Sequence, residues 1–230
     1  TFEDYKEQFS IFTDSIVEGG SISYNSEDCY VKEVVEKSPN PIRKFPYKTP
    51  HYTIENGITY LETPEGPMPL EIFGKHNLNN LAGAKWICQH MGVDEDDFYE
   101  AIASFNGASK RLEKIAETDN AIAYKDFAHS PSKVLATTNA LKNQYPDRKL
   151  IACLELHTYS SLNPEFLNQY KGALAAADIS VVFYSPRAVE IKKLQAISQQ
   201  QIMDAFQSDD LIVYTNPEEF KDFLFSQKFN

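Results

Sequence analysis

The chain reads as an α/β protein whose second half is the more regular. From Gly107 onward, strand-like and helix-like runs alternate four times, which implies a mostly parallel sheet covered by helices. The first half is different: short strand-like runs, two longer helical patterns and a connector holding Pro39, Pro41, Pro46 and Pro50, which cannot be helical throughout. Between the halves lies Asn106-Gly107-Ala108-Ser109, small, polar and hinge-like, so two domains are expected, 1–106 and 107–230.

Phe2 to Val17 carries apolar residues at Phe2, Tyr5, Phe9, Phe12 and Ile16, a helical spacing that Gly19-Gly20 stops. Ile22–Tyr24 reads as a short strand and Tyr30–Val35 as another. Tyr52-Thr53-Ile54 and Ile58-Thr59-Tyr60-Leu61 flank an Asn56-Gly57 pair, the signature of a hairpin. Helices are expected over about Asn77–Met91 and Asp94–Phe105, with Asp94 as cap of the second and acids in its first turn. In the second half, Ala121–Tyr124 is a strand and Pro131–Tyr145 a helix with proline in its first turn. Leu150–Leu156 lacks strong alternation and reads as a strand buried on both faces. Pro164–Ala177 is a helix, Ile179–Tyr184 a strand, and a helix lies within Ile191–Phe206. Leu211–Tyr214 and Pro217–Phe225 complete the series as strand and helix.

Composition narrows the function classes. A net charge of −11 with scattered basic residues argues against a sequence-independent grip on nucleic acid and against a polybasic membrane anchor. No apolar run approaches a bilayer span, and Thr1-Phe2-Glu3-Asp4-Tyr5 is no signal peptide. Cys29, Cys88 and Cys153 are odd in number and widely spaced, and Cys88 and Cys153 sit in apolar patterns that suggest reduced core thiols. A cytoplasmic protein without membrane insertion is expected.

In open parallel sheets, ligands sit at the carboxyl ends of the strands. Two loops there are rich in chemistry: Lys125-Asp126-Phe127-Ala128-His129-Ser130-Pro131, and Glu155-Leu156-His157-Thr158-Tyr159-Ser160-Ser161. Each places a carboxylate, a histidine and hydroxyls just before a helix, a composition suited to polar, partly anionic ligands.

Three segments carry a family resemblance. Gly74-Lys75-His76-Asn77-Leu78-Asn79-Asn80-Leu81-Ala82-Gly83-Ala84 resembles the G-x-H-N-x-x-N-x-x-A-A signature of the Mur ligases. Phe105-Asn106-Gly107-Ala108-Ser109-Lys110-Arg111-Leu112-Glu113 looks like their F-x-G-x-x-R-R-x-E segment. Lys125 to Pro131 looks like the D-D-Y/F-A-H-H-P motif of the UDP-N-acetylmuramate-linked branch. All three occur in order and at the family's spacing, and the resemblance covers essentially the full chain. The opening, Phe2 to Phe9, and Arg111-Leu112-Glu113 are most similar to the peptide-adding members, the murein peptide ligases.

The resemblance implies a fold, a reaction and a set of residue roles. The fold would be the C-terminal part of the central ATP-binding domain over 1–106, followed by a Rossmann-like C-terminal ligase domain over 107–230. No G-x-x-x-x-G-K-S/T phosphate loop occurs in the chain, and the family's magnesium ligands lie upstream of where Thr1 would align, so ATP and magnesium are implied cofactors with the metal ligands outside this sequence. The natural protein is expected to continue somewhat beyond Asn230, and the fragment alone is expected to be inactive. Partners would be UDP-N-acetylmuramate and a peptide or amino-acid acceptor. Asn77 and Asn80, three apart on one helix face, would contact the adenine edge, with His76 beside them. Arg111, with Lys110 standing for the family's first arginine, would reach phosphate oxygens. Asp126 would accept hydrogen bonds from the ribose. His129 would stand near the reacting atoms, and His157, Ser160 and Ser161 would recognise the acceptor.

That loop carries neither arginine of the alanine-adding H-R-F/Y-S/T-R-T pattern, and it does not match the P-R-S-N-T of murein peptide ligases. The expected activity is amide formation, through an acyl phosphate, between the lactyl carboxylate of UDP-N-acetylmuramate and the amine of L-Ala-γ-D-Glu-diaminopimelate. The alternatives are ligation of L-alanine, or a non-catalytic Mur-like nucleotide-binding module.

Overall fold

Thr1 opens helix α1 (Phe2–Asp14) with a capping box: its hydroxyl accepts from the Asp4 amide at 3.2 Å, and the Asp4 carboxylate takes the Thr1 amine at 2.7 Å. The structure is a computed structural model that describes residues 1–208 and 210–227. The chain divides into two units, Thr1–Asn106 and Gly107–Asn230.

In the first unit, β1 (Ser21–Asn25) pairs in parallel with β2 (Arg43–Tyr47), and α2 (Cys29–Lys37) crosses between them. The strand expected at Tyr30–Val35 is therefore a helix. Asp28 caps it, its carboxylate accepting from the Tyr30 and Val31 amides at 3.0 and 3.1 Å, and Val34 and Val35 are buried. The helical spacing of Val31, Val34 and Val35, with the cap, outweighs the strand preference of β-branched side chains. The connector also holds a strand, β2, in which Pro46 points outward.

A three-stranded antiparallel meander follows: β3 (Tyr52–Glu55), β4 (Ile58–Thr63) and β5 (Gly66–Leu70). Asn56 and Gly57 both have positive φ, 53° and 76°, which is what the two-residue hairpin between β3 and β4 requires. β5 runs Gly-Pro-Met-Pro-Leu at the sheet edge, with both prolines exposed and Leu70 buried, the arrangement that prolines allow. Helices α3 (Lys75–His90) and α4 (Glu95–Ala103) close the core of Leu61, Leu70, Ile72, Leu78, Leu81 and Phe98. The Asp94 carboxylate caps α4 through the Asp97 amide at 2.9 Å. Gly83 stands where the Mur signature has alanine. A Cβ there would lie 2.9 Å from Tyr47 Cζ, so the close approach of β2 to α3 accounts for the departure.

The second unit begins with the antiparallel pair β6 (Glu113–Glu117) and β7 (Ile122–Lys125). Then come α5 (Pro131–Gln144), β8 (Ile151–Leu156), α6 (Pro164–Leu167), β9 (Ile179–Tyr184), α7 (Pro186–Ile191), α8 (Gln199–Phe206), β10 (Ile212–Tyr214) and α9 (Pro217–Ser226). β8, β9 and β10 form a parallel sheet in the order β10-β9-β8, giving the mostly parallel α/β class. Leu154, Leu156, Leu167, Val182, Ile202 and Phe206 are part of its core.

Four details differ from expectation. β7 is hydrogen-bonded to β6, a strand that the polar run Glu113-Lys114-Ile115-Ala116-Glu117 did not announce. β8 is buried on one face only, with Cys153 and Glu155 exposed on the other, so Cys153 is not a core thiol. Cys88, by contrast, packs half-buried against the core of the first unit. The helix expected over Pro164–Ala177 ends at Leu167, continues as one 3-10 turn to Tyr170, and is broken by Gly172 at φ 69°. An additional short helix, α7, precedes the helix expected before Phe206, started by proline and capped by Ser185. Among the described residues, no helix is long and apolar enough to cross a membrane.

Candidate functional site

In the first unit the candidate residues sit on the opening turns of α3. Gly74 precedes the helix at φ 89°, a left-handed conformation that glycine adopts without strain. Asn77 is half-buried and does not cap the helix. Its Nδ2 donates to the Phe73 carbonyl at 2.9 Å, which leaves the amide oxygen for another partner. Asn80 is exposed, and His76 is half-buried.

The neighbouring Asn79, which sequence reasoning passed over, has a structural task. Its Nδ2 donates at 3.3 Å to both Glu27 Oε2 and Thr49 Oγ1. Glu27 Oε2 also accepts from the Thr49 amide at 3.0 Å and the Thr49 hydroxyl at 2.5 Å, and Lys75 Nζ stands 3.4 Å from Glu27 Oε1. Two distant segments, at Glu27 and Thr49, are thereby tied to the first turns of α3, and the turn presenting Asn77 and Asn80 is held in place.

The Thr49 hydroxyl and amide, with Lys75 behind them, hold the Glu27 carboxyl below its ordinary value of 4.5. A depressed folded-state value means that the ionised form favours the native state. The contribution is fully present above the unfolded value and is lost as pH falls through the folded one. Glu27→Gln should therefore flatten the acid side of the stability curve: thermal midpoints of variant and parent, compared from pH 7 down to pH 3, should differ most at neutral pH and converge below pH 4.5. A constant offset across that range would assign the clamp no ionic component.

In the second unit, the segment before β6 and the loops after β7 and β8 converge. Lys110 and Leu112 both have left-handed backbones, φ 59° and 50°, rare for residues with a Cβ. The turn is fixed by the Glu113 carboxylate, which accepts from the Lys110 amide at 2.7 Å, and by the Lys110 carbonyl, which accepts from the Phe127 amide at 2.9 Å. Leu112 is buried beneath it, while the Lys110 and Arg111 side chains are exposed. The Arg111 guanidinium lies 5.8 Å from the centroid of Phe127, a cation–π contact, and makes no ion pair among the described residues.

Asp126 follows β7 directly. Its Oδ1 accepts from the Phe127 amide at 2.6 Å, and its Oδ2 accepts from the Thr137 hydroxyl at 2.5 Å. Thr137 lies about two turns into α5, so the helix face holds the carboxylate; the sequence pattern did not single it out. Each oxygen keeps a further lone pair for a hydroxyl donor.

Phe127 in turn stands edge-on to His129, with ring centroids 5.0 Å apart, and His129 lies 6.2 Å from His157. Arg111, Phe127, His129 and His157 thus form one row. His129 Nδ1 is 2.9 Å from the Phe127 carbonyl, and His157 Nδ1 is 3.3 Å from the Glu155 carbonyl. A carbonyl only accepts, so each Nδ1 faces its carbonyl as an N–H donor, and in the neutral imidazole Nε2 is then the acceptor. The His129 backbone is itself held from the core, because the buried Tyr170 hydroxyl donates to its carbonyl.

The acceptor-loop candidates part company. Ser161 is buried, 1% exposed, and its Oγ accepts from the Thr158 amide at 2.9 Å and bonds the Thr158 hydroxyl at 2.8 Å. It clasps the loop and is not presented to a ligand. Ser160 is exposed, with its Oγ 3.2 Å from the Thr158 hydroxyl. Among the described residues, no group of three or more His, Cys, Asp or Glu side chains is arranged to hold a metal ion.

No protein-family model matches the chain. It is 26% identical, over 96% of its length, to the UDP-N-acetylmuramate–L-alanine ligase of Agathobacter rectalis, of which it covers 50%. It is 29% identical, over 58% of its length, to the enzyme of the same name from Desulfitobacterium hafniense, covering 30% of it. Among solved structures, the fold is similar to the UDP-N-acetylmuramate–alanine ligase of Thermotoga maritima, with TM-score 0.64, 16% identity, and 96% of this chain against 48% of that one. It is also similar to the murein peptide ligase of Psychrobacter arcticus, with TM-score 0.62, 17% identity, and 96% against 48%. The Mycobacterium tuberculosis folylpolyglutamate synthase, solved with ADP, shares the fold at TM-score 0.68, 18% identity, and 97% against 52%. The chain is thus similar in sequence to UDP-N-acetylmuramate–L-alanine ligases and shares its fold with solved Mur ligases, and it spans about half the length of the Agathobacter rectalis relative.

Proposed function

We propose that this chain is part of an ATP-dependent ligase that joins the lactyl carboxylate of UDP-N-acetylmuramate to the amine of an amino acid or peptide, in the building or recycling of peptidoglycan. The observation that carries the reading is the row of Arg111, Phe127, His129 and His157 beside the clamped Asp126, at the carboxyl ends of β7 and β8. The residues present suit a nucleotide. In the second unit, Asp126 keeps lone pairs for ribose hydroxyls and Arg111 offers an exposed guanidinium without an ion pair for phosphate oxygens; the first unit, taken by itself, carries in Asn77 and Asn80 amide groups of the kind that match a purine edge. Lys110 adds a second cation beside Arg111.

In the proposed reaction, the γ-phosphoryl group passes to a lactyl carboxylate oxygen, giving an acyl phosphate and ADP. The acceptor nitrogen then attacks the carbonyl carbon, the carbon–oxygen bond to phosphate breaks, and an amide forms. Arg111 would hold the phosphoryl oxygens as charge shifts among them. His129 Nε2 would accept the proton that the amine sheds, with His157 beside it. Magnesium, when bound, would neutralise phosphate charge and orient the phosphates. His76 would support the adenine contacts, and His157 and Ser160 would face the acceptor, with Ser161 clasping their loop.

For the acceptor, we rank L-alanine first, because the sequence relatives above are L-alanine ligases. The tripeptide L-Ala-γ-D-Glu-diaminopimelate is the second reading, favoured by the Phe2–Phe9 opening and by Arg111-Leu112-Glu113. The deciding measurement is acceptor-dependent phosphate release by the intact protein with UDP-N-acetylmuramate, ATP and magnesium. Turnover with L-alanine alone is expected; turnover with the tripeptide alone would move the protein to the recycling branch. Phosphate release with neither acceptor would sink the ligase reading.

A further inference from the structure

The loop after β8 carries His157, Thr158, Tyr159, Ser160 and Ser161 and no cation of its own. An amino-acid or peptide acceptor brings a carboxylate along with its amine, and a carboxylate left without a cation in a closing site binds weakly. The structure supplies a cation from elsewhere in the chain. Lys192, at the end of α7, places its Nζ 4.3 Å from the centroid of Tyr159. Among the described residues it is the one cation set over a ring of this loop.

Both partners are held by their backbones. The Thr158–Ser161 clasp fixes the loop and turns Tyr159 outward, 63% exposed. The Lys192 amide donates to the Ala188 carbonyl at 3.1 Å, and Lys193, at φ 53°, turns the chain away immediately afterwards. The charge of Lys192 is also uncommitted. Lys85 and Lys142 are paired with Glu95 and Asp178, whereas Lys192 makes no ion pair among the described residues. A ring face positions an ammonium without neutralising it, so the positive charge remains available to an incoming anion.

We propose that Lys192, poised over Tyr159, receives the carboxylate of the acceptor and so sets acceptor specificity in place of a loop arginine. The proposal rests on the ligase reading above and names a recognition residue of the same reaction. Lys192 is a specificity residue and touches none of the bonds that change.

The test uses the intact protein with UDP-N-acetylmuramate, ATP and magnesium, and measures phosphate release while the acceptor is varied. Lys192→Ala should raise the KM for whichever acceptor turns over by about tenfold or more, leaving kcat and the KM for ATP within about twofold, and Lys192→Arg should recover most of the loss. The parent should also use the acceptor better than its carboxamide analogue, and Lys192→Ala should remove that preference. An unchanged acceptor KM in Lys192→Ala, or a carboxylate preference that survives the substitution, would overturn the proposal. If the parent itself releases no phosphate with any acceptor, the ligase reading fails and this proposal fails with it. A loss with Lys192→Ala that Lys192→Arg does not recover would also count against it, because a point charge that meets a carboxylate is replaceable by another cation.

Discussion

In the intact protein, Asp126→Ala is expected to raise the KM for ATP by about 10- to 100-fold, with a much smaller change in the KM for the acceptor. The size follows from the chemistry of the site. Hydrogen bonds to a charged group contribute about 1.5–3 kcal/mol, and every ~1.4 kcal/mol is a factor of ten. Asp126 has both oxygens already engaged, by the Phe127 amide and the Thr137 hydroxyl, so its orientation is fixed before any ligand arrives. That arrangement also gives the substitution a structural cost, since it deprives the Thr137 hydroxyl of its acceptor, while the Phe127 amide keeps the Lys110 carbonyl. Two companions separate the effects. Thr137→Val removes the clamp and keeps the carboxylate, so it should shift the KM for ATP several-fold at most. Asp126→Asn retains an acceptor and should lie between parent and alanine variant. Unchanged ATP kinetics in Asp126→Ala, in a protein that still melts cooperatively, would remove Asp126 from the nucleotide site.

Much of this arrangement was legible in the chain because its signals are local. The loop after β7 declares itself through Asp126, His129 and Pro131 within six residues, and the loop after β8 through His157 and the hydroxyls that follow it. The strands β8 and β9 announce themselves as short apolar runs, and Asn56-Gly57 marks its hairpin with the two residues that tolerate positive φ. What stayed hidden was mostly long-range. Nothing near Asn79 in sequence points to Glu27, 52 residues away, or to Thr49, 30 away. Nothing near His129 points to Tyr170, 41 residues on. The approach of Lys192 to Tyr159 depends on α7, a six-residue helix too short for periodicity to reveal.

The local misreadings have local causes. Tyr30–Val35 is rich in β-branched residues, and that preference masked a nine-residue helix whose cap, Asp28, lies just before it in the sequence. Ser161 was grouped with Ser160 because the two hydroxyls are adjacent, yet one is buried and bonded to Thr158 and the other is exposed. Composition marks a loop as a candidate site, but it does not say which of its hydroxyls are consumed in shaping it.

The second large effect is expected at Tyr170, where the core of the second unit meets the site. The side chain is fully buried and stacks on Phe206 with ring centroids 5.2 Å apart and planes 11° from parallel. Burial pushes its phenol up to about 12, so at neutral pH it remains a proton donor, and it donates to the His129 carbonyl. Tyr170→Ala removes the ring and should cost about 3–5 kcal/mol, the range for deleting a large aromatic from a core. Denaturant midpoints would register that loss directly. Tyr170→Phe is the more informative change. It keeps the ring and its stacking and removes one hydrogen bond, so stability should fall by only about 1–3 kcal/mol, depending on whether water reaches the orphaned carbonyl. The same bond fixes the backbone from which His129 projects between Phe127 and His157. If that row carries the chemistry, Tyr170→Phe should lower kcat several-fold in the intact protein at temperatures where the variant is fully folded, with the KM for ATP preserved, since Asp126 is held by Thr137 rather than by Tyr170. A variant that loses stability and keeps its kcat would show that the core supports the fold of this loop without setting the position of His129.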